Sequence, residues 1–146
     1  MIGLQPRGAF LCKRVLKKLK FLLPTIDVKS GNLDISFYRD DLMRRDHPIE
    51  PDIMDINLSF EDKNIILVDD VLFTGRSIRS ALDAILAFGR PKTVELLTLI
   101  NRRFSRHLPI EPTYVGKTID ALSEEKVIVE WKELHGIDRV LMKKNT

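Results

Sequence analysis

Cysteine is all but missing from this chain: Cys12 stands alone. A single thiol supports neither an intrachain disulfide framework nor a cysteine-based zinc site, and this usage points to the cytoplasm. Cys12 itself reads as a small core residue on a helix. Long hydrophobic runs are lacking too. No apolar stretch approaches the roughly 20 residues that span a bilayer, and Gln5-Pro6-Arg7 interrupts the first apolar residues too early for a secretory signal. No membrane association is expected. Acidic residues are absent from 1–25, which carry six Lys or Arg; a second basic cluster, three Arg and a His, lies at 101–107. The net charge of +3 is too modest to imply nucleic acid by itself. The clusters, rather than the total, mark two places for anionic ligands. There is no internal repeat, linker or low-complexity segment. What remains is 146 residues, 44% hydrophobic and 31% charged, which is one domain over 1–146 with a sizeable core.

The most informative stretch is Ile65-Ile66-Leu67-Val68-Asp69-Asp70-Val71-Leu72-Phe73-Thr74-Gly75-Arg76-Ser77. Four apolar residues at 65–68 predict a parallel strand buried on both faces. Two carboxylates and a tight turn follow, then a helix from about Ser77. A helix N-terminus carries about half a positive charge and several unpaired N–H donors, so it suits a phosphate. Gly75 permits close approach or a positive φ. Asp69 and Asp70 cannot serve the same phosphate, because like charges repel. They must face hydroxyls or a metal. A diol beside a phosphate is the chemistry of a ribose 5-phosphate.

The rest of the chain frames this stretch. A turn at Gln5-Pro6-Arg7-Gly8 leads into a helix over 8–23, where Leu11, Val15, Leu19 and Leu22 recur at helical spacing opposite Lys13, Lys17 and Lys20; Pro24 ends it. Leu33, Ile35 and Phe37 alternate with polar residues as in a half-buried strand over 33–38. The charged segment 39–48 reads as a functional loop, and Ile53, Asp55 and Asn57 suggest a further short strand. A helical stripe at Ile78, Ala81, Leu82, Ile85 and Leu86 ends at Gly89-Arg90-Pro91. Residues 93–100 form the next buried strand, 101–112 a basic loop, 114–117 a strand end, 126–131 an alternating strand, and 139–142 closes the chain. This alternation is that of an α/β domain with a parallel sheet. Ligands of such sheets gather at the carboxyl ends of the strands, where Arg7, Arg39, Asp69 and Asn101 fall.

The thirteen-residue string closely resembles the phosphoribosyl-pyrophosphate (PRPP) binding motif of type I phosphoribosyltransferases. The resemblance implies that fold: a central, mainly parallel β-sheet flanked by helices, with a small hood. It also implies that Asp69 and Asp70 hold the ribose hydroxyls. Residues 71–77 (Val71, Leu72, Phe73, Thr74, Gly75, Arg76 and Ser77) would then form the binding segment, with 73–77 cradling the 5′-phosphate. Gln5-Pro6-Arg7-Gly8 occupies the place of the pyrophosphate loop, which implies Arg7 and Gly8 as contacts and a cis Pro6–Arg7 peptide. Mg²⁺ would be held mainly by PRPP, with no certain protein ligand.

Tyr38-Arg39-Asp40-Asp41-Leu42, Gly89-Arg90-Pro91, Leu108-Pro109-Ile110, Tyr114-Val115-Gly116-Lys117 and Glu125-Lys126-Val127 narrow the likeness to one subfamily. They resemble the PyrR family of bifunctional pyrimidine-operon regulators and uracil phosphoribosyltransferases. The implied reaction joins uracil to PRPP, giving UMP and pyrophosphate. Arg7, Arg39, Asp69 and Asp70 would be the catalytic set, with Arg39 on a loop that closes. Asn101 and Arg102 fall at the base site, where the family usually has Asp-Arg. The resemblance further implies a homodimer or larger homo-oligomer and UMP-responsive binding of a leader mRNA, with Arg103, Arg106, His107 and Lys117 as candidate contacts. Glu111 departs from the basic residue the RNA-binding forms tend to carry. The family also has a helix and most of a strand before the position of Ile2, so a partly missing hood is expected. Two alternatives share the central motif: a hypoxanthine or guanine salvage transferase, and a non-catalytic UMP-sensing RNA binder.

Overall fold

The computed structural model describes residues 1–35 and 59–144. Five parallel strands form the main sheet in the order β2-β1-β3-β4-β5: β1 (Ile2–Leu4), β2 (Gly31–Leu33), β3 (Asn64–Leu72), β4 (Thr93–Arg103) and β5 (Tyr114–Asp120). Helix α1 (Arg7–Leu22) connects β1 to the β2 edge, and α2 (Arg76–Ala87) connects β3 to β4. A two-stranded antiparallel hairpin, β6 (Glu125–Glu130) with β7 (Arg139–Lys144), carries the short helix α3 (Lys132–His135). Among the described residues no helix is long and apolar enough to cross a membrane.

Strand alternation divides β3 between two cores. Ile65, Leu67 and Leu72 pack with Ile78, Ala81, Ala84 and Ile85 of α2. Val68, with Ile66 and Val71, packs toward Leu11 and Cys12 of α1 and toward Val127, Val129 and Trp131 of the hairpin. Cys12 is 2% exposed, as expected of a core thiol. At Gly8 a Cβ would lie 2.3 Å from the Val68 carbonyl oxygen, so only glycine lets the first turn of α1 sit this close to β3. The hairpin is fastened to α1 by Arg14. Its Nε and Nη2 donate to Glu133, and its Nη1 and Nη2 to Asp138, at 2.6–3.0 Å. The same guanidinium lies over the Trp131 ring.

Several elements outrun their sequence-based limits. The strand expected at 65–68 continues through both aspartates to Leu72, and the strand expected at 93–100 continues to Arg103. The reason is the ladder itself: Asp69 pairs with Thr98, Val71 with Ile100 and Leu72 with Asn101. Parallel pairing uses backbone groups, so polar side chains beyond the apolar run do not end it. Similarly, 114–117 is the start of β5 rather than a strand end. The cis peptide expected at Pro6–Arg7 lies instead at Gln5–Pro6, where the tertiary amide greatly reduces the preference for trans. The expected strand at 33–38 is represented by β2 and the buried Ile35. Residues 36–38, the segment 39–48 with Arg39, and the strand suggested near 53–57 lie outside the described residues.

Candidate functional site

Three strand ends converge above the sheet. β1 delivers Arg7 through the turn at Gln5-Pro6, β3 delivers Asp69 and Asp70, and β4 delivers Asn101 and Arg102. Two adjoining hollows open there and share Asp69, Val71, Phe73 and Ser77. The first, about 400 Å³, is lined by Asp69, residues 71–78 and Ser80. The second, about 630 Å³, brings Arg7, both aspartates and Arg102 together with residues 123–127 at the start of the hairpin.

The first hollow lies at the N-terminus of α2. Gly75 is left-handed (φ 91°) and makes no side-chain hydrogen bond as the cap of the helix, so the first turn presents backbone N–H groups. The Thr74 hydroxyl accepts from the Arg76 N–H at 3.3 Å. The loop is held from behind. The Phe73 carbonyl accepts from Arg106 Nη1 at 2.6 Å, and the Thr74 carbonyl accepts from the His107 and Leu108 N–H groups.

The acidic pair sits at the wall between the hollows. Asp69 Oδ1 accepts from the Asp70 N–H and Asp70 Oδ1 from the Val71 N–H, both at 2.9 Å. Asp70 Oδ2 is buried and has no hydrogen-bond partner among the described residues. Burial raises both carboxyls above the ordinary aspartate range; the neighbouring charge of Asp70 adds to this and Asp69 is pushed up to about 8, while Arg7 pulls both back. Two acids this close, one with an orphaned oxygen, suit hydroxyl donors or a cation that brings its remaining ligands with it. Among the described residues no cluster of three or more His, Cys, Asp or Glu could hold a metal alone.

At the end of β4, Arg102 is 4% exposed and its guanidinium lies over the Phe73 ring, 4.0 Å from the centroid. Its Nη2 donates to the Leu122 carbonyl at 2.7 Å, and its Nε is buried without a partner among the described residues. Asn101 Oδ1 accepts from Arg106 Nη2 at 2.6 Å.

The fold brings Arg7, Asp69, Asp70, residues 73–77 and Arg102 around these two hollows, while Asn101 lines neither and is bonded to Arg106. Gly8 stands behind the site as a packing residue, and Leu72 is largely core. The four basic candidates of the 101–117 region part company. Arg103 is exposed and paired with Asp120 at 2.5 Å, and His107 and Lys117 are exposed. Arg106 instead turns inward beneath the phosphate loop. Sequence reasoning did not find that role, nor the wall formed by 123–127. The alternating 126–131 stretch carried a signal for a strand but none for where that strand would pack.

The phosphoribosyl transferase domain family matches residues 1–133. The chain is 44% identical to the bifunctional protein PyrR of Enterococcus faecalis (strain OG1RF), covering 99% of this chain and 79% of that one. It is 48% identical to bifunctional protein PyrR of Endomicrobium trichonymphae, covering 96% and 79%. Among solved structures, a hypoxanthine phosphoribosyltransferase from Staphylococcus aureus matches with TM-score 0.67 at 21% identity, over 99% of this chain and 74% of that one. The hypoxanthine phosphoribosyltransferase of Trypanosoma cruzi matches with TM-score 0.69 at 17% identity, over 99% and 75%. At such identities the structures speak for the fold alone.

Proposed function

Since the chain belongs to the phosphoribosyl transferase domain family and, within it, to the PyrR family, we propose that it converts uracil and PRPP into UMP and pyrophosphate. One observation carries this reading: two hollows meet at Asp69, one lined by both aspartates, where Asp70 Oδ2 is orphaned, and the other ending on the N-terminus of α2. An acceptor for a diol thus adjoins a cradle for a phosphate, the two groups that a ribose 5-phosphate presents.

In this reading Asp69 and Asp70 accept hydrogen bonds from the ribose hydroxyls. Residues 73–77 take the 5′-phosphate through backbone N–H groups and the Thr74 and Ser77 hydroxyls. Arg7 faces the diphosphate, and Arg39, outside the described residues, would add the second cation that the family resemblance implies. As the bond from C1 to the diphosphate oxygen breaks, its electron pair leaves with the diphosphate, and C1 takes on oxocarbenium character. The base nitrogen then supplies the pair for the new bond and gives up its proton to water or to the departing diphosphate. Arg102 borders the hollow where the base would lie, with Asn101 beside it in sequence and bonded to Arg106. Mg²⁺ fits the acid pair as an ion carried in by PRPP, and when bound it supplies Lewis-acid stabilisation of the leaving group. The carboxylates orient the ribose through its hydroxyls.

The relatives' designation as bifunctional favours a second activity, binding of a leader RNA by the UMP-loaded protein. Exposed His107 and Lys117 are the outward-facing candidates, with Arg103 available once freed from Asp120. A homo-oligomer in the cytoplasm is the setting this implies. The purine-salvage alternative rests only on structural neighbours that share the fold.

The test is UMP formation from uracil, PRPP and Mg²⁺, with orotate, hypoxanthine and guanine offered in parallel. Turnover with uracil alone supports the proposal, whereas purine turnover or none overturns it. RNA binding is tested by titration against salt, where contacts to a single strand weaken with a slope of about −0.7 per phosphate; a flat response removes that activity.

A further inference from the structure

Arg106 belongs to neither half of the site as read from sequence, yet it touches both. Its Nη1 donates to the Phe73 carbonyl of the phosphate loop and its Nη2 to Asn101 Oδ1 at the end of β4, each at 2.6 Å. The side chain is only 17% exposed, and the carboxylate of Glu111 stands 3.8 Å from Nε. That Nε is buried without a hydrogen-bond partner among the described residues. The backbone on either side of Arg106 is tied down as well. Ser105 Oγ donates to the Ala121 carbonyl at 3.0 Å, and the His107 and Leu108 N–H groups both reach the Thr74 carbonyl.

These bonds have a directional consequence. A trans peptide is planar, so its C=O and its N–H point to opposite sides. With the Phe73 and Thr74 carbonyls both drawn toward the 105–108 segment, the N–H groups of Thr74 and Gly75 are turned away from it. They are the donors next to the hollow at the start of α2. Removing the guanidinium frees the 73–74 peptide plane to rotate. It also releases the Asn101 side chain, which has no other hydrogen bond among those the structure records.

We propose that Arg106 is a positioning residue: it sets the peptide orientation of the phosphate loop and the rotamer of Asn101 together, and so couples donor binding to base binding. The inference rests on the transferase reading but concerns a residue whose position in the sequence suggested an outward, RNA-facing role. An arginine suits the task because its rigid planar fork holds two acceptors at a fixed separation; lysine offers a point charge that can reach one of them.

The experiment is a double-mutant cycle on the full chain with Arg106→Ala, Asn101→Ala and the pair, with Arg106→Lys as conservative variant. PRPP affinity is measured by calorimetry, and KM for uracil and kcat by steady-state turnover. Arg106→Ala is expected to weaken PRPP binding about 10- to 100-fold, the range for losing a hydrogen bond from a charged donor. KM for uracil rises as well, and Asn101→Ala has little further effect on it once Arg106 is gone. Arg106→Lys recovers part of the PRPP affinity but not the coupling. Should Arg106→Ala fail to fold, Arg106→Lys against Asn101→Ala carries the same cycle.

Unchanged PRPP affinity in a folded Arg106 variant, or fully additive effects on uracil KM, overturns the inference and leaves the transferase reading standing. So does a loss confined to RNA binding. Wild-type protein that binds no PRPP overturns the transferase reading first and takes the inference with it.

Discussion

The Cα of Gly8 faces the carbonyl oxygen of Val68 so closely that a methyl group there would lie 2.3 Å from it. The obstacle is strand backbone at the foot of Asp69, not a side chain that could swing aside. Gly8→Ala must therefore move α1 outward, and Arg7 at its first position moves with it. Overpacking of this kind costs about 1–3 kcal/mol. Urea unfolding is expected to show that loss, together with weaker PRPP binding.

Ligand-free protein should lose stability as pH rises across the neutral range. Burial, reinforced by the charge of Asp70, raises the Asp69 carboxyl from 3.8 to about 8 in the folded state. Its proton is thus bound more tightly when folded. The resulting stabilisation is complete below the unfolded value and disappears as pH climbs toward the folded one. Glu133 and Asp138, held below the usual range by Arg14, act in the opposite sense but only at more acidic pH. Thermal midpoints from pH 5 to 9 should fall in the wild type and flatten in Asp69→Asn. A rise with pH in the wild type, or an unaltered slope in the variant, would contradict this. Binding of PRPP at pH 7 should also release protons, measurable by calorimetry in buffers of different ionisation enthalpy.

Asp70→Asn separates the ligand's need for a carboxylate from the fold's. The amide oxygen can still accept from the Val71 N–H, as Oδ1 does now. The orphaned Oδ2 becomes an N–H₂ group, which cannot accept from a ribose hydroxyl. Stability is expected to hold or rise, while kcat/KM for PRPP falls roughly 10- to 100-fold. Unaltered kcat/KM would make the pair structural.

Arg14→Leu should loosen the hairpin without unfolding the sheet. The substitution removes every hydrogen bond from α1 to Glu133 and Asp138, and the stacking on Trp131. Hydrogen exchange is expected to quicken in β6 and β7 and to stay slow in β3 and β4. A uniform change across both sheets would show that the hairpin does not open independently.

The core and the centre of the site were legible because their signals are local. The apolar run before Asp69, the glycine at the helix entry and the alternation across the β6 residues each lie within one short window. Arg106 was not legible as a brace: its acceptor Phe73 is 33 positions away, and an arginine in a basic loop looks the same whether it faces solvent or a carbonyl. The Arg14 clamp escaped for the same reason, its partners lying more than a hundred positions downstream. The ends of β3, β4 and β5 were placed too early because hydrophobicity reports burial, whereas pairing continues wherever a neighbouring backbone is available; β6 by contrast stops at Glu130, one residue short of the expected strand.

At the centre of the sheet, β1 pairs with β3 by matching Ile2 to Leu67 and Gly3 to Val68. That contact closes the longest loop within the sheet, and long loop closures are the slow events of folding. Arg7 stands just beyond one partner and Asp69 just beyond the other. A refolding chain can thus form α1, α2 and the β6–β7 hairpin early and still have no place for a nucleotide. Competence to bind should return with the last kinetic phase, after most of the helical signal has recovered, and a newly made chain would be the wrong shape for its ligand until its two ends of the sheet had met.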